Sequence, residues 1–216
     1  MTYSVKEIFY TLQGEGKHAG RPAVFCRFSG CNLWDGLEKN RSKAICQFCD
    51  TDFVGTDGTN GGKFKSASEL GAKINDLWPT DANKFIVITG GEPALQLDDA
   101  LIDVLHSHGF YIAVETNGTL PLPAGIDWVC MSPKAGTTLV LTSCDELKVV
   151  YPQEGLNPSD YLDIKTDHRL ISPKDNSFLP GPLTPTDNSP AAAIAYCKKD
   201  PRWNLSIQSH KYLGIE

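Results

Sequence analysis

Three segments of this chain share one pattern, an apolar run of strand length whose carboxyl end carries glycines and polar side chains. Residues 84–89 (KFIVIT) run into Gly90-Gly91-Glu92-Pro93, residues 110–116 (FYIAVET) into Asn117-Gly118, and residues 127–132 (DWVCMS) into Pro133-Lys134. Such runs, apolar on both faces, belong to parallel strands that are covered by helices or line a barrel. Parallel α/β sheets place their ligands at the carboxyl edge, which is where these polar residues fall. Residues 23–30, 146–151, 169–172 and 205–209 read as further strands.

Helical segments are fewer. Ser66 and Glu69 have capping-box spacing before a stripe of Leu70, Ile74, Leu77 and Trp78 that stops at Pro79. A second helix begins at Asp98, turns Leu101, Ile102 and Leu105 inward and ends before Gly109; a third is predicted over 188–199, with Ser189 and Pro190 at its start and Ile194 and Cys197 on its inner side. About seven strands with too few helices for an eightfold barrel predict an incomplete parallel β/α barrel. The 216 residues suit one domain, 1–216.

The net charge of −6 argues against nucleic acid as the natural partner and favours a small molecule. No signal peptide and no bilayer-length apolar run is evident, so a cytoplasmic location is expected. In that reducing compartment the seven cysteines are poor disulfide candidates. Cys31, Cys46 and Cys49 have the spacing C-x14-C-x2-C. Three thiolates leave a position open, as a working metal site or a three-cysteine iron-sulfur cluster does. A zinc site that adds Cys26 as a fourth ligand is the alternative, although Cys26 sits within a strand and Cys31 beyond its end.

Two nucleotide motifs fail. Gly14, Gly16 and Ala19 match a dinucleotide fingerprint, but Arg21-Pro22 and strand composition follow; Lys63 lacks the flanking residues of a P-loop. The Gln13–Glu15 stretch reads as a polar turn, and Arg27, opposite in alternation to Cys26, suits either a salt bridge or the grip of a ligand carboxylate. His18 and His168 read as structural. Cys26, Cys130, Cys144 and Cys197 read as small core residues.

The three cysteines after a strand, Phe48 before the third of them, Gly90-Gly91-Glu92-Pro93 and Glu115-Thr116-Asn117-Gly118 together resemble the radical S-adenosylmethionine (SAM) superfamily. Most of that superfamily uses C-x3-C-x2-C. The longer spacing here is similar to one branch, the 7-carboxy-7-deazaguanine synthases, as are LQGEG (12–16), CNLWDG (31–36), C-x-x-CDTDF (46–53) and Q-x-HK (208–211). Residues 171–185 fit the branch least well.

This resemblance implies a [4Fe-4S] cluster on Cys31, Cys46 and Cys49 whose free iron takes the amino and carboxylate groups of SAM. It implies SAM contacts from Phe48, Gly90, Gly91, Glu92, Glu115, Asn117, Ser132, Lys134, Ser172 and Asp175, with Glu92 accepting from the methionine amino group. The implied substrate is 6-carboxy-5,6,7,8-tetrahydropterin, held by Leu12, Gln13, Gly14, Glu15 and Gly90, with Arg27 on its carboxylate and His210 and Glu216 closing the site from a C-terminal tail over 205–216. The implied products are 7-carboxy-7-deazaguanine and ammonia, formed by ring contraction with hydrogen taken from C6 and returned, so that SAM is not consumed. The pathway implied is that of queuosine-type tRNA modification. Mg²⁺ near the substrate carboxylate, on Thr51 and secondarily Asp50, a reductant such as flavodoxin or ferredoxin, and a homodimer complete the expectation. A glycyl-radical activase would share the cluster but has no use for LQGEG, Arg27 or Thr51. The contribution of Trp34 and Arg41 within the cysteine loop is open.

Overall fold

The computed structural model describes residues 2–175 and 189–215. Its centre is a sheet of nine strands among the described residues: β1 (Tyr3–Leu12), β2 (Pro22–Phe28), β3 (Gly62–Phe64), β4 (Phe85–Gly90), β5 (Tyr111–Thr116), β6 (Trp128–Met131), β7 (Glu146–Tyr151), β8 (His168–Pro173) and β9 (Asn204–Leu205). Their order is β3-β1-β2-β4-β5-β6-β7-β8-β9. From β2 to β9 every neighbouring pair is parallel; β1 runs antiparallel to both β2 and β3. The sheet is open, and helices are few, as an incomplete β/α barrel requires.

Alternation along the strands separates two cores. Val24, Cys26 and Phe28 of β2, Ile86 and Ile88 of β4, and Ile112 and Val114 of β5 pack under α1 (Ala67–Asp76) and α2 (Asp99–Ser107) through Leu70, Ile74, Leu101, Ile102 and Leu105. Each such fully buried aliphatic side chain is worth roughly 1.5–3 kcal/mol of transfer free energy. Ser66 caps α1 by accepting from the amide of Glu69 at 3.1 Å, while the Glu69 carboxylate accepts from the amide of Lys65. Asp98 caps α2 and also accepts from the Tyr3 hydroxyl at 2.6 Å, which ties the helix to β1.

Two strands are added and two expectations corrected. Residues 3–12 form β1, and Gly62–Phe64 pairs with it as β3; a register shift between Val5 and Glu7 breaks the two-residue period that would have marked β1. In α3 (Ser189–Lys199) Ala193 is buried and Cys197 packs against the core as expected, whereas Ile194 is exposed. The strand expected over 205–209 is reduced to Asn204–Leu205, and Ser209–Leu213 forms α4. Ser206 makes one last bond to the Ile171 carbonyl, then the chain leaves the sheet for the loop after β1. The proline-rich segment 176–188 and Glu216 lie outside the described residues.

Candidate active site

The concave face of the sheet is built in layers. Phe25, Val87, Ala113 and Trp128 are register partners in a row across β2, β4, β5 and β6, and with Phe85 and Tyr111 they make an apolar floor. His18 packs edge-on into that floor, its ring centre 4.5 Å from that of Trp128 and 5.1 Å from that of Phe85, and His168 stacks on Trp128. Both histidines are therefore packing residues. Two residues further along each strand the face turns polar: Arg27 pairs in register with Thr89, Glu115 with Cys130, and Cys130 with Glu146.

A buried charge sits at the centre of this polar layer. Lys148 is 4% exposed and its Nζ lies 2.8 Å from Glu15 and 3.3 Å from Glu115. Burial alone would lower the Lys148 ammonium, but the surrounding carboxylates Glu115, Glu15 and Glu146 hold it well above the ordinary lysine value. Burial likewise pushes Glu15 up, and the charge and hydrogen bond of Lys148 overcome it, holding Glu15 down at about 2. Gln13 donates to the Glu115 carboxylate at 3.1 Å and Gln208 to that of Glu15 at 2.8 Å. The LQGEG loop thus lies inside the concave face. Gly16, at φ +71°, leaves no room for a Cβ beside Glu146, whose carboxylate accepts from the amide of Lys17.

Above the charge layer are two adjoining cleft regions, both open to solvent. They share Glu15, Asp50, Thr51, Thr89, Glu115 and Gln208. Cys31, Cys46 and Cys49 all line the first. Burial pushes the Cys31 and Cys46 thiols up, so a bound cation is needed to hold them as thiolates near neutrality. Three cysteines facing one cleft fit a cluster with an open iron. Cys26 does not join them: it is fully buried under the helices on the opposite face, its thiol pushed up to about 12 by that burial, which removes the four-cysteine zinc alternative.

Of the expected SAM contacts, Phe48, Gly90, Gly91, Glu115 and Asn117 line the first cleft, as do Ser132, Lys134, Ser172 and Asp175. A Cβ on Gly90 would overlap the Phe28 carbonyl and one on Gly91 the Gly30 carbonyl, so these two positions form a backbone cradle. Lys134 donates to the carbonyl and hydroxyl of Ser132, and Asn117 to Asn32. Glu92 lines neither cleft. It is fully buried behind the cleft lining and accepts from Thr116 Oγ1 at 2.7 Å, the Asn117 amide at 2.8 Å and the Ala94 amide at 3.0 Å. Its carboxylate ties the GGEP turn to the end of β5.

The second cleft gathers Leu12, Gln13, Gly14, Glu15, Arg27 and His210; Gly90 lines only the first. Arg27 is held by Glu7 at 2.7 Å and still borders the cleft, so the salt bridge and the ligand-facing position coexist. Asp50 is paired with Lys211 of α4 at 2.6 Å, and Lys211 also reaches Asp175. This leaves Thr51 as the less encumbered of the two Mg²⁺ candidates. Sequence reasoning missed Lys148, and it gave no role to Gln208 and Lys211 although they lie in the Q-x-HK motif. The signal for Lys148 was a lysine between Leu147 and Val149, two residues from Glu146, in a strand with no exposed face.

The sequence profile described as the radical SAM superfamily matches residues 40–148. The chain is 58% identical over 216 residues to a protein of Burkholderia multivorans named 7-carboxy-7-deazaguanine synthase, covering 100% of both chains. It is 56% identical over 218 residues to a protein of the same name from Caulobacter vibrioides, again covering 100% of both. Among solved structures it is similar to the crystal structure of QueE from Escherichia coli, with a TM-score of 0.70 at 27% identity over 97% of this chain and 95% of that one.

Proposed function

Because this chain belongs to the 7-carboxy-7-deazaguanine synthase family of the radical SAM superfamily, we propose that it converts 6-carboxy-5,6,7,8-tetrahydropterin to 7-carboxy-7-deazaguanine and ammonia. When bound, the [4Fe-4S] cluster and SAM supply one-electron cleavage of the sulfonium and hence the 5'-deoxyadenosyl radical that abstracts hydrogen. The work of the protein is to bind, orient and exclude water.

Cys31, Cys46 and Cys49 would hold the cluster. Gly90 and Gly91 would admit the methionine end of SAM against backbone, and Phe48, Asn117, Ser132, Lys134, Ser172 and Asp175 would meet its adenosine and carboxylate. Glu115 borders both clefts and would touch the ribose. Leu12, Gln13, Gly14 and Glu15 would hold the pterin edge, and Arg27, with its forked guanidinium, the carboxylate. Thr51, and after it Asp50, would bring oxygen ligands to a Mg²⁺ ion beside that carboxylate. The apolar floor of Phe25, Val87, Ala113 and Trp128 would keep water out from the amino-terminal side. We further propose a single domain over 1–216, a homodimer, a cytoplasmic location, closure of the cleft by the C-terminal tail including Glu216, and reduction by a flavodoxin or ferredoxin.

The observation that carries this reading is that two clefts, one lined by the three cysteines and the other by LQGEG and Arg27, meet at Glu15, Glu115 and Thr51. Anaerobic incubation with the carboxytetrahydropterin, SAM and reductant tests it. A deazaguanine product with release of ammonia is expected; absence of both defeats the reading.

A further inference from the structure

The loop from Cys31 to Cys49 has one short regular element, the 3-10 segment Glu38–Lys43, yet it must present three sulfurs in a fixed arrangement. Its two arms meet through backbone bonds: the amides of Ile45 and Cys46 donate to the Leu33 carbonyl at 3.1 and 3.4 Å. One side chain spans all the remaining parts. The Arg41 guanidinium lies 4.1 Å over the Trp34 ring, three residues beyond Cys31. Its Nη1 donates to the carbonyls of Gln47 at 3.1 Å and Cys49 at 2.9 Å, within the turn that carries the other two cysteines. Its Nε is held by Glu38 at 2.8 Å. Trp34 is itself fixed, 8% exposed and edge-on to Phe53 at 5.6 Å.

A planar cation that stacks and donates in a fork orients the backbone it binds more tightly than a flexible ammonium does. The same charge lies next to the Cys46–Cys49 turn. Accepting one electron makes a cluster more negative by one charge, so a fixed neighbouring cation favours the reduced form. We propose that Arg41 is a positioning residue of the cluster: it clamps the Cys46–Cys49 turn to the Cys31 arm through Trp34, and its charge raises the reduction potential. This rests on the reading that the three cysteines hold a [4Fe-4S] cluster. It also gives the fourteen-residue spacing a purpose, since a shorter loop has no length for a segment that returns an arginine to its own end.

The test uses reconstituted holoprotein of the wild type, Arg41→Met and Arg41→Lys, with iron release to a chelator and a spectroscopic redox titration as readouts. Arg41→Met should release iron at least about tenfold faster and shift the potential negative, a tenfold change in the one-electron equilibrium being about 59 mV. Arg41→Lys should keep the potential near wild type while iron release stays fast. Trp34→Leu, which removes the stacking platform and leaves the charge, should behave like Arg41→Lys, and it serves if Arg41→Met does not fold. Wild-type release and potential in Arg41→Met, or a loss of thermal stability with neither readout moved, overturns the proposal. Wild-type protein that takes up no iron or sulfide on reconstitution overturns the cluster reading beneath it.

Discussion

Replacing Lys148 by Met removes a cation that touches both Glu15 and Glu115, and the effect can be worked from the Glu15 carboxylate. Glu15 is held at about 2 against an ordinary value of 4.5, so the ionised form is favoured by roughly 2.5 pH units, or about 3 kcal/mol. The Glu15 side chain is 17% exposed and that of Lys148 5%, so solvent screening removes little of this. Because the folded value is depressed, this stabilisation is complete above the ordinary carboxylate range and is lost as pH falls from about 4.5 towards 2. Between about pH 8 and 5.5 the wild-type contribution is therefore flat. In Lys148→Met the burial that opposes ionisation is no longer countered. The variant should be about 3 kcal/mol less stable near pH 8, in line with the loss of one partner of a buried pair, and should recover part of that loss near pH 5.5 as protonation relieves the carboxylates. Anaerobic urea unfolding followed by tryptophan fluorescence at the two pH values measures both terms. A loss below about 1 kcal/mol, or one equal at both pH values, refutes the reasoning.

Gly91→Ala places a methyl group against the backbone of Gly30 and 2.7 Å from Cys31 Cβ, atoms that cannot swing aside; it should cost about 2–3 kcal/mol of stability and reduce the iron bound after reconstitution. Gly14→Ala meets the His210 ring and Cβ, at 2.7–2.8 Å apart from a closer ring nitrogen, so it should displace α4 and raise the KM for the pterin several-fold in steady-state kinetics. Arg27→Ala should raise the pterin requirement far more than that for SAM, since Arg27 borders the second cleft and not the first; equal effects on both in steady-state kinetics would contradict its assignment.

What was legible in the chain follows from periodicity. Strands such as FIVITG and YIAVET announce themselves because both faces are covered, and their polar carboxyl ends mark the ligand edge. Alternation alone separated Cys26 from Arg27, which the structure places on opposite faces. Irregularity hid the rest. The bulge in β1 puts its buried residues out of phase, and β9 is too short to have a period. Lys148 was hidden because lysine in a strand normally reads as a solvent contact, and its partners Glu15 and Glu115 are far away in sequence. The bonds by which the Glu92 carboxylate holds the amides of Ala94 and Asn117 were equally invisible, since Asn117 lies on the next strand end, 25 residues away. Arg41 sits in a loop with no repeat of any kind, where only the fold can bring an arginine back over Trp34.

The central claim is that the cysteine-lined cleft and the LQGEG cleft serve one reaction in which SAM is used and restored. Anaerobic turnover of reduced holoenzyme with the carboxytetrahydropterin in excess over SAM tests it most directly. The account predicts one ammonia for each 7-carboxy-7-deazaguanine, and more product than SAM supplied. Absence of the deazaguanine, or one methionine and one 5'-deoxyadenosine formed for every product, would contradict it.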